Sequence, residues 1–189
     1  LDETLAYFES TPVDQQLSRI QPIQSRTGFY NILSQIFCLN PPKLDSGLVE
    51  ERNRVFAIAL KSFENLDSMQ TRFLVTIYQK LTANALIDCR RFGNHWEDVG
   101  FQGTDPATDL RGIGLLGLLQ LLFLILSPET SQLCKDIYKL SLDTRQHFPF
   151  AVMSLQISSI SLQVLREGLL NKECNEAKCV LKVFNWFYS

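Results

Sequence analysis

The run over residues 113–126 constrains the fold of this chain most. It spans fourteen residues without a charge and is interrupted only by Gly114, Gly117 and Gln120. A bilayer span needs about 20 apolar residues, so a run of this length fits a fully buried core helix better. A helix that is apolar all round must be enclosed by other elements. The rest of the chain has the means to enclose it. Gly and Pro together supply only sixteen of 189 residues, below the ~12% of average proteins, which favours long regular elements over a turn-rich β fold. A length of 189 residues, 46% hydrophobic and 20% charged, matches one globular domain and excludes general disorder.

Helical periodicity recurs on both sides of that run. Residues 1–27 read as a short leading helix and then a loop. Residues 28–39 place Phe29, Ile32, Leu33, Ile36 and Phe37 on one face, and Asn40-Pro41-Pro42 ends that helix. Asp45 or Ser46 is positioned to cap a second helix carrying Leu48, Val55, Phe56, Ala59, Leu60 and Phe63. Ser68 is positioned to cap a third with Phe73, Leu74, Ile77, Tyr78 and Leu81. Residues 85–105 break the pattern and read as a long loop with room for one short helical turn, the kind of segment that often carries function. Asp105-Pro106 is a strong helix start and leads into the apolar run. Ser127-Pro128-Glu129 restarts a helix to about Leu142, residues 149–170 form another, and a last one begins near Asn175. No strand pair or hairpin turn is evident. The expected architecture is one all-α domain of about six to eight helices.

Charge and cysteine usage narrow the function classes. A net charge of −2 provides no global attraction to nucleic acid or anionic membrane. Five cysteines, with no C-x-x-C pair, read as reduced thiols, mostly buried, in a cytoplasmic protein with cytoskeletal or organelle association left open. His95 and His147 have no partners at metal-ligand spacing, so no metal site is expected. The N-terminus lacks a signal-peptide pattern and an initiator Met, so the chain is expected to be a fragment.

Gly112-Ile113-Gly114-Leu115-Leu116-Gly117 matches G-x-G-x-x-G. In a dinucleotide-binding fold that motif follows a buried strand. Here the preceding residues 104–111 are polar and proline-bearing, so the glycines read as small residues that admit a neighbouring backbone. Walker A, G-x-S-x-G and H-E-x-x-H sequences are absent. Glu97, Asp98, Asp105 and Asp109 read as caps and a solvated face. Arg111 stands out. It lies near a helix start, where the dipole disfavours a cation, between Leu110 and Gly112-Ile113-Gly114. It must pair with Asp105 or Asp109, or emerge on a contact surface.

The pattern Trp96-x-x-x-Gly100-Phe101-Gln102-x-x-x-Pro106-x-Thr108-Asp109-x-Arg111-Gly112-x-Gly114-x-x-x-Leu118 resembles the signature of the ELMO-domain family. The resemblance continues through Gln146-His147-Phe148-Pro149-Phe150 and Leu165-Arg166-Glu167 and covers roughly residues 46–189. Residues 1–45 resemble it less and are expected to form an N-terminal helical and loop extension packed on the domain. The C-terminal end is expected to be cut short. The resemblance implies an all-helical domain that activates GTP hydrolysis by an Arf-family, notably Arf-like, GTPase in its GTP-bound state. It implies an activator with no cofactor of its own, acting on GTP and magnesium held by the partner. The family's proposed catalytic finger falls on Arg111.

Roles for the neighbouring residues follow from the same resemblance. Gln102 orders the attacking water, bonds the partner's switch region, or bonds its own loop. Trp96 and Phe101 anchor the loop in the core or touch the GTPase. Thr108 and Asp109 cap the helix and hold Arg111, while Gly112 and Gly114 admit the partner or a neighbouring helix. Gly100 and Pro106 support the motif. The alternative is a non-catalytic adaptor domain in small-GTPase signalling. Several such adaptors depart from the motif arginine, and its presence here favours activation.

Overall fold

The apolar run folds as the central helix α5, Gly114–Leu126, in which only Phe123 and Leu126 escape full burial. The structure, a computed structural model, describes residues 1–21, 41–83 and 89–189. The helix expected over residues 28–39, and Cys38 with it, lies outside the described residues. Around α5 pack α3 (Val49–Leu60), α4 (Ser68–Thr82) and α7 (Phe150–Arg166), with α6 (Ser131–Ser141) following it. Two short helices lead the chain, α1 (Asp2–Ser10) against α5 and α2 (Asp14–Leu17) against α3. Two close it, α8 (Asn171–Ala177) and α9 (Val180–Tyr188). Each fully buried leucine of α5 contributes ~1.5–3 kcal/mol of transfer free energy, which makes this helix the axis of the core.

The described residues contain no strand, and the fold is all-α. They form nine α-helices, more than the expected six to eight, because the leader carries a second short helix and the tail is split. Lys178 adopts a left-handed conformation with φ 54° between α8 and α9. Several helix starts also differ from expectation. Asp67, not Ser68, caps α4 by accepting from the Met69 amide at 2.9 Å and the Gln70 amide at 3.3 Å. Asp45 does not cap α3. A single 3-10 turn, Ser46–Leu48, intervenes, and the Asp45 carboxylate instead accepts from Lys178 Nζ at 2.6 Å. The helix after α5 begins at Ser131, behind Thr130, rather than at Ser127. Leu60 is 39% exposed rather than part of the core.

The largest departure is at the start of α5. Proline and aspartate do initiate a helix at Asp105, but it is a 3-10 helix, Pro106–Gly112, and it does not continue into the apolar run. The chain bends by 109° between it and α5. Gly114 takes φ +58°, and a Cβ there would sit 2.4 Å from the Ala59 carbonyl oxygen and 2.6 Å from that of Lys61. The Leu115 amide donates to Lys61 O at 2.8 Å. The C-terminal end of α3 therefore packs directly on the backbone at the joint and leaves no room for a side chain at position 114.

Candidate functional site

The site grows from a loop pinned at several points. Trp96, in a 3-10 helix over Asn94–Val99, is fully buried, and its Nε1 donates to the Arg91 carbonyl at 3.0 Å. Its ring meets Phe101 edge-on at 5.9 Å. Both aromatic residues therefore anchor the loop in the core, the first of the two roles expected for them. Gly100, at φ +86°, lies where a Cβ would be 2.2 Å from the Phe150 amide nitrogen. Its carbonyl accepts from the Val152 amide at 3.1 Å. The loop is thus fastened to the first turn of α7.

The 3-10 helix Pro106–Gly112 stands on this base. Asp105 Oδ1 accepts from the Ala107 amide at 2.9 Å and Thr108 Oγ1 donates to the Asp105 carbonyl at 2.8 Å. Pro106 and Leu110 are buried. Asp109 Oδ2 accepts from the backbone amide of Gln102 at 2.7 Å. Burial pushes the Asp109 carboxyl above the usual carboxylate value, the Gln102 amide opposes that shift, and the charge of Asp105 adds to it. The loop bond expected of Gln102 is made by its main chain, and the residue itself is exposed.

Arg111 occupies the last turn of this helix and is exposed. Among the described residues none forms a hydrogen bond or ion pair with it. The salt bridge expected with Asp105 or Asp109 is absent because both carboxylates are engaged elsewhere, Asp109 by Gln102 and Asp105 by Arg91, whose Nη2 lies 2.7 Å from Asp105 Oδ1. Thr108 and Asp109 secure the helix, as described above, but do not hold Arg111. The guanidinium opens on a groove between the 3-10 helix and the end of α3, lined by Arg111, Thr108 and Asp105 on one side and Leu60, Phe63 and Arg19 on the other. Gly112 is exposed with open space at its Cβ position, whereas Gly114 faces the core.

Two features escaped the sequence. Arg91, in the Arg90-Arg91 pair, is a partly buried organiser rather than a loop charge. Cys89 Sγ lies 3.5 Å from His95 Nε2, a contact with no recognisable spacing signal. The G-x-G-x-x-G run follows a 3-10 helix rather than a strand, so it lacks the setting of a dinucleotide site. Among the described residues no group of three or more His, Cys, Asp or Glu side chains is placed to hold a metal. No single described helix is long and apolar enough to cross a membrane.

The ELMO/CED-12 family profile matches residues 53–188. ELMO domain-containing protein 3 of Bos taurus is 45% identical over 187 residues, covering 99% of this chain and 48% of the relative. Its Homo sapiens counterpart is 44% identical over 187 residues with the same coverage. ELMO domain-containing protein B of Dictyostelium discoideum is 33% identical over 99 residues, covering 52% of this chain and 34% of that protein. The chain thus spans about half the length of its mammalian relatives. No solved structure matches it. The profile covers the pinned loop, the 3-10 helix and the helices around α5 alike, and on that match the chain belongs to the ELMO/CED-12 family.

Proposed function

We propose that this domain activates GTP hydrolysis by an Arf-family GTPase, with Arg111 as an arginine finger supplied in trans. The observation that carries the reading is an exposed arginine, unpaired among the described residues, on a short helix fastened at its N-terminus by Asp105 and along its length by Asp109. Small GTPases hydrolyse GTP slowly because charge builds on the transferring phosphoryl oxygens. A guanidinium entering a dry interface neutralises that charge. Arginine suits the task because its planar fork spans two oxygens and remains protonated. A finger is worth roughly 10³–10⁵ in rate, or ~4–7 kcal/mol of barrier. A rigid base matters because the gain depends on placing the charge before the reaction begins.

The test is single-turnover hydrolysis by GTP-loaded Arf-family GTPases with wild type, Arg111→Lys and Arg111→Ala. Both variants are expected to lose roughly 10³-fold or more of the activation, with melting temperature unchanged because the side chain is exposed. Activation retained by Arg111→Ala overturns the finger. A wild type that binds these GTPases without accelerating any of them points to the adaptor role.

A further inference from the structure

Asp105 caps the 3-10 helix from extended backbone just before its first turn, and Arg111 lies in its last turn. Thr108 and Arg111, three apart, eclipse in such a helix, and the six residues from Asp105 to Arg111 span ~12 Å. An extended arginine and an aspartate together bridge that distance, and all three residues line the same groove. A carboxylate thus stands within reach of the guanidinium that must stay free, yet the two do not pair.

Arg91 accounts for this. Its Nη2 donates to Asp105 Oδ1 at 2.7 Å and its Nε to Asn65 Oδ1 at 3.1 Å. Its guanidinium lies 4.8 Å from the Phe63 ring centre and 4.7 Å from that of Phe92. Only 13% of the side chain is exposed, against 28% for Asp105. A partly buried ion pair of this kind is screened less than a surface pair. It leaves Asp105 paired with a cation, its Oδ1 still capping the Ala107 amide.

We infer that Arg91 is a positioning residue whose ion pair with Asp105 keeps Arg111 unpaired. Its consequence for hydrolysis rests on the finger reading above, whereas the exchange of ion pairs does not. With Arg91 replaced by a neutral side chain, Asp105 turns to the mobile cation that lines the same groove, Arg111, and draws it away from the partner. Arg19, exposed across the groove, is the competing cation.

The experiment measures the rate of phenylglyoxal modification at Arg111 and Arg19, mapped by peptide mass spectrometry, in the intact chain. The variants are wild type, Arg91→Met, Arg91→Lys and the double variant Arg91→Met with Asp105→Asn. Methionine keeps an apolar stem between Phe63 and Phe92. Asparagine keeps an acceptor for the Ala107 amide but carries no charge. Arg111 is expected to react about two- to five-fold more slowly in Arg91→Met, the effect of one partly exposed ion pair. The wild-type rate is expected in Arg91→Lys and in the double variant. GTPase activation should follow the same order, falling in kcat with little change in the affinity for the GTP-loaded partner. Melting curves establish folding, and Arg91→Gln replaces Arg91→Met if the latter does not fold.

Unchanged Arg111 reactivity in Arg91→Met, slowing at Arg19 in its place, or failure of Asp105→Asn to restore the rate each overturn the inference. If reactivity follows the expected order while the wild type activates no GTPase, the inference stands and the finger reading falls.

Discussion

Asp109 shows how much of the site was legible at the scale of a single residue. The motif marked it, and the spacing suggested a cap or a counter-ion for Arg111. It is neither, because its partner is the amide of Gln102, seven residues back across the loop. That pairing depends on how the loop closes and has no signature in local spacing. The exposure of Arg111 was likewise open in the sequence, since it depends on Arg91 capturing Asp105 from fourteen residues away. The ionisation of Asp109 makes its role testable. Burial raises its carboxyl pKa from an ordinary 3.8, so the folded state holds the charged form at a cost. Stability from this group is greatest below the unfolded value and is lost as pH rises through the higher folded value. Asp109→Asn keeps an acceptor for Gln102 without the charge. At pH 7 it is expected to melt no lower than wild type, and the wild type should gain on it as pH falls toward 4. Asp109→Ala loses the bond and is expected to melt ~2–4 °C lower, the shift for ~1 kcal/mol in a chain of this size. Melting of the three proteins between pH 4 and 7 checks both expectations.

At the scale of elements, composition and periodicity carried most of the fold. The fourteen-residue apolar run predicted a buried helix, and α5 is one. The bend before it was not legible, because Asp-Pro begins a helix equally well whether the helix is short or long. The turn is decided by the carbonyls of Ala59 and Lys61 approaching Gly114, a long-range contact. Gly114→Ala therefore combines a left-handed backbone with a clash against main-chain oxygen. It is expected to cost at least ~2 kcal/mol, seen as a melting loss of roughly 4–8 °C. An alanine variant with unchanged melting would show that the joint is not tight. The opposite sign is expected at Gln120. This residue is 1% exposed, and neither its Oε1 nor its Nε2 finds a partner among the described residues. Gln120→Met is close in volume and removes two unpaired polar atoms from the core. It is expected to stabilise by ~1–3 kcal/mol, read by denaturant unfolding. A fall in stability would show that the amide is satisfied after all.

The whole molecule is held together by its N-terminal helix as well as by α5. Thr4 and Phe8 of α1 are buried, and α1 packs on α5. Arg54 on α3 closes the far end of α1, donating from Nε to the Phe8 carbonyl at 2.9 Å and from Nη2 to that of Thr11 at 2.8 Å. These are orphan carbonyls at a helix C-terminus, which a cation complements. The sequence suggested a short leading helix, but not that an arginine some forty-five residues later would cap it. Tyr7 ties the same helix to α4. Its hydroxyl donates to Asp67 Oδ2, accepts from Gln70 Nε2 at 2.9 Å, and its ring meets Phe73 edge-on at 5.2 Å. The phenol is pushed up to about 12, first by burial and then by the bond to the Asp67 carboxylate. Ionisation would place two negative oxygens face to face. Because the folded pKa lies above the ordinary 10, stability from this phenol is complete below pH 10 and is lost as pH rises from 10 through 12. Tyr78, which donates to Asp98 and is also pushed up to about 12, adds to the same alkaline loss. Wild type is therefore expected to show a melting temperature that falls steeply above pH 10. Tyr7→Phe should start lower, having lost its hydroxyl bonds, but decline less steeply over that range, with the two curves converging toward pH 12. Absorbance at 295 nm reports the phenolate directly and should rise together with unfolding. Parallel curves for wild type and Tyr7→Phe would show that Tyr7 ionises freely and that the tie between α1 and α4 does not depend on its proton.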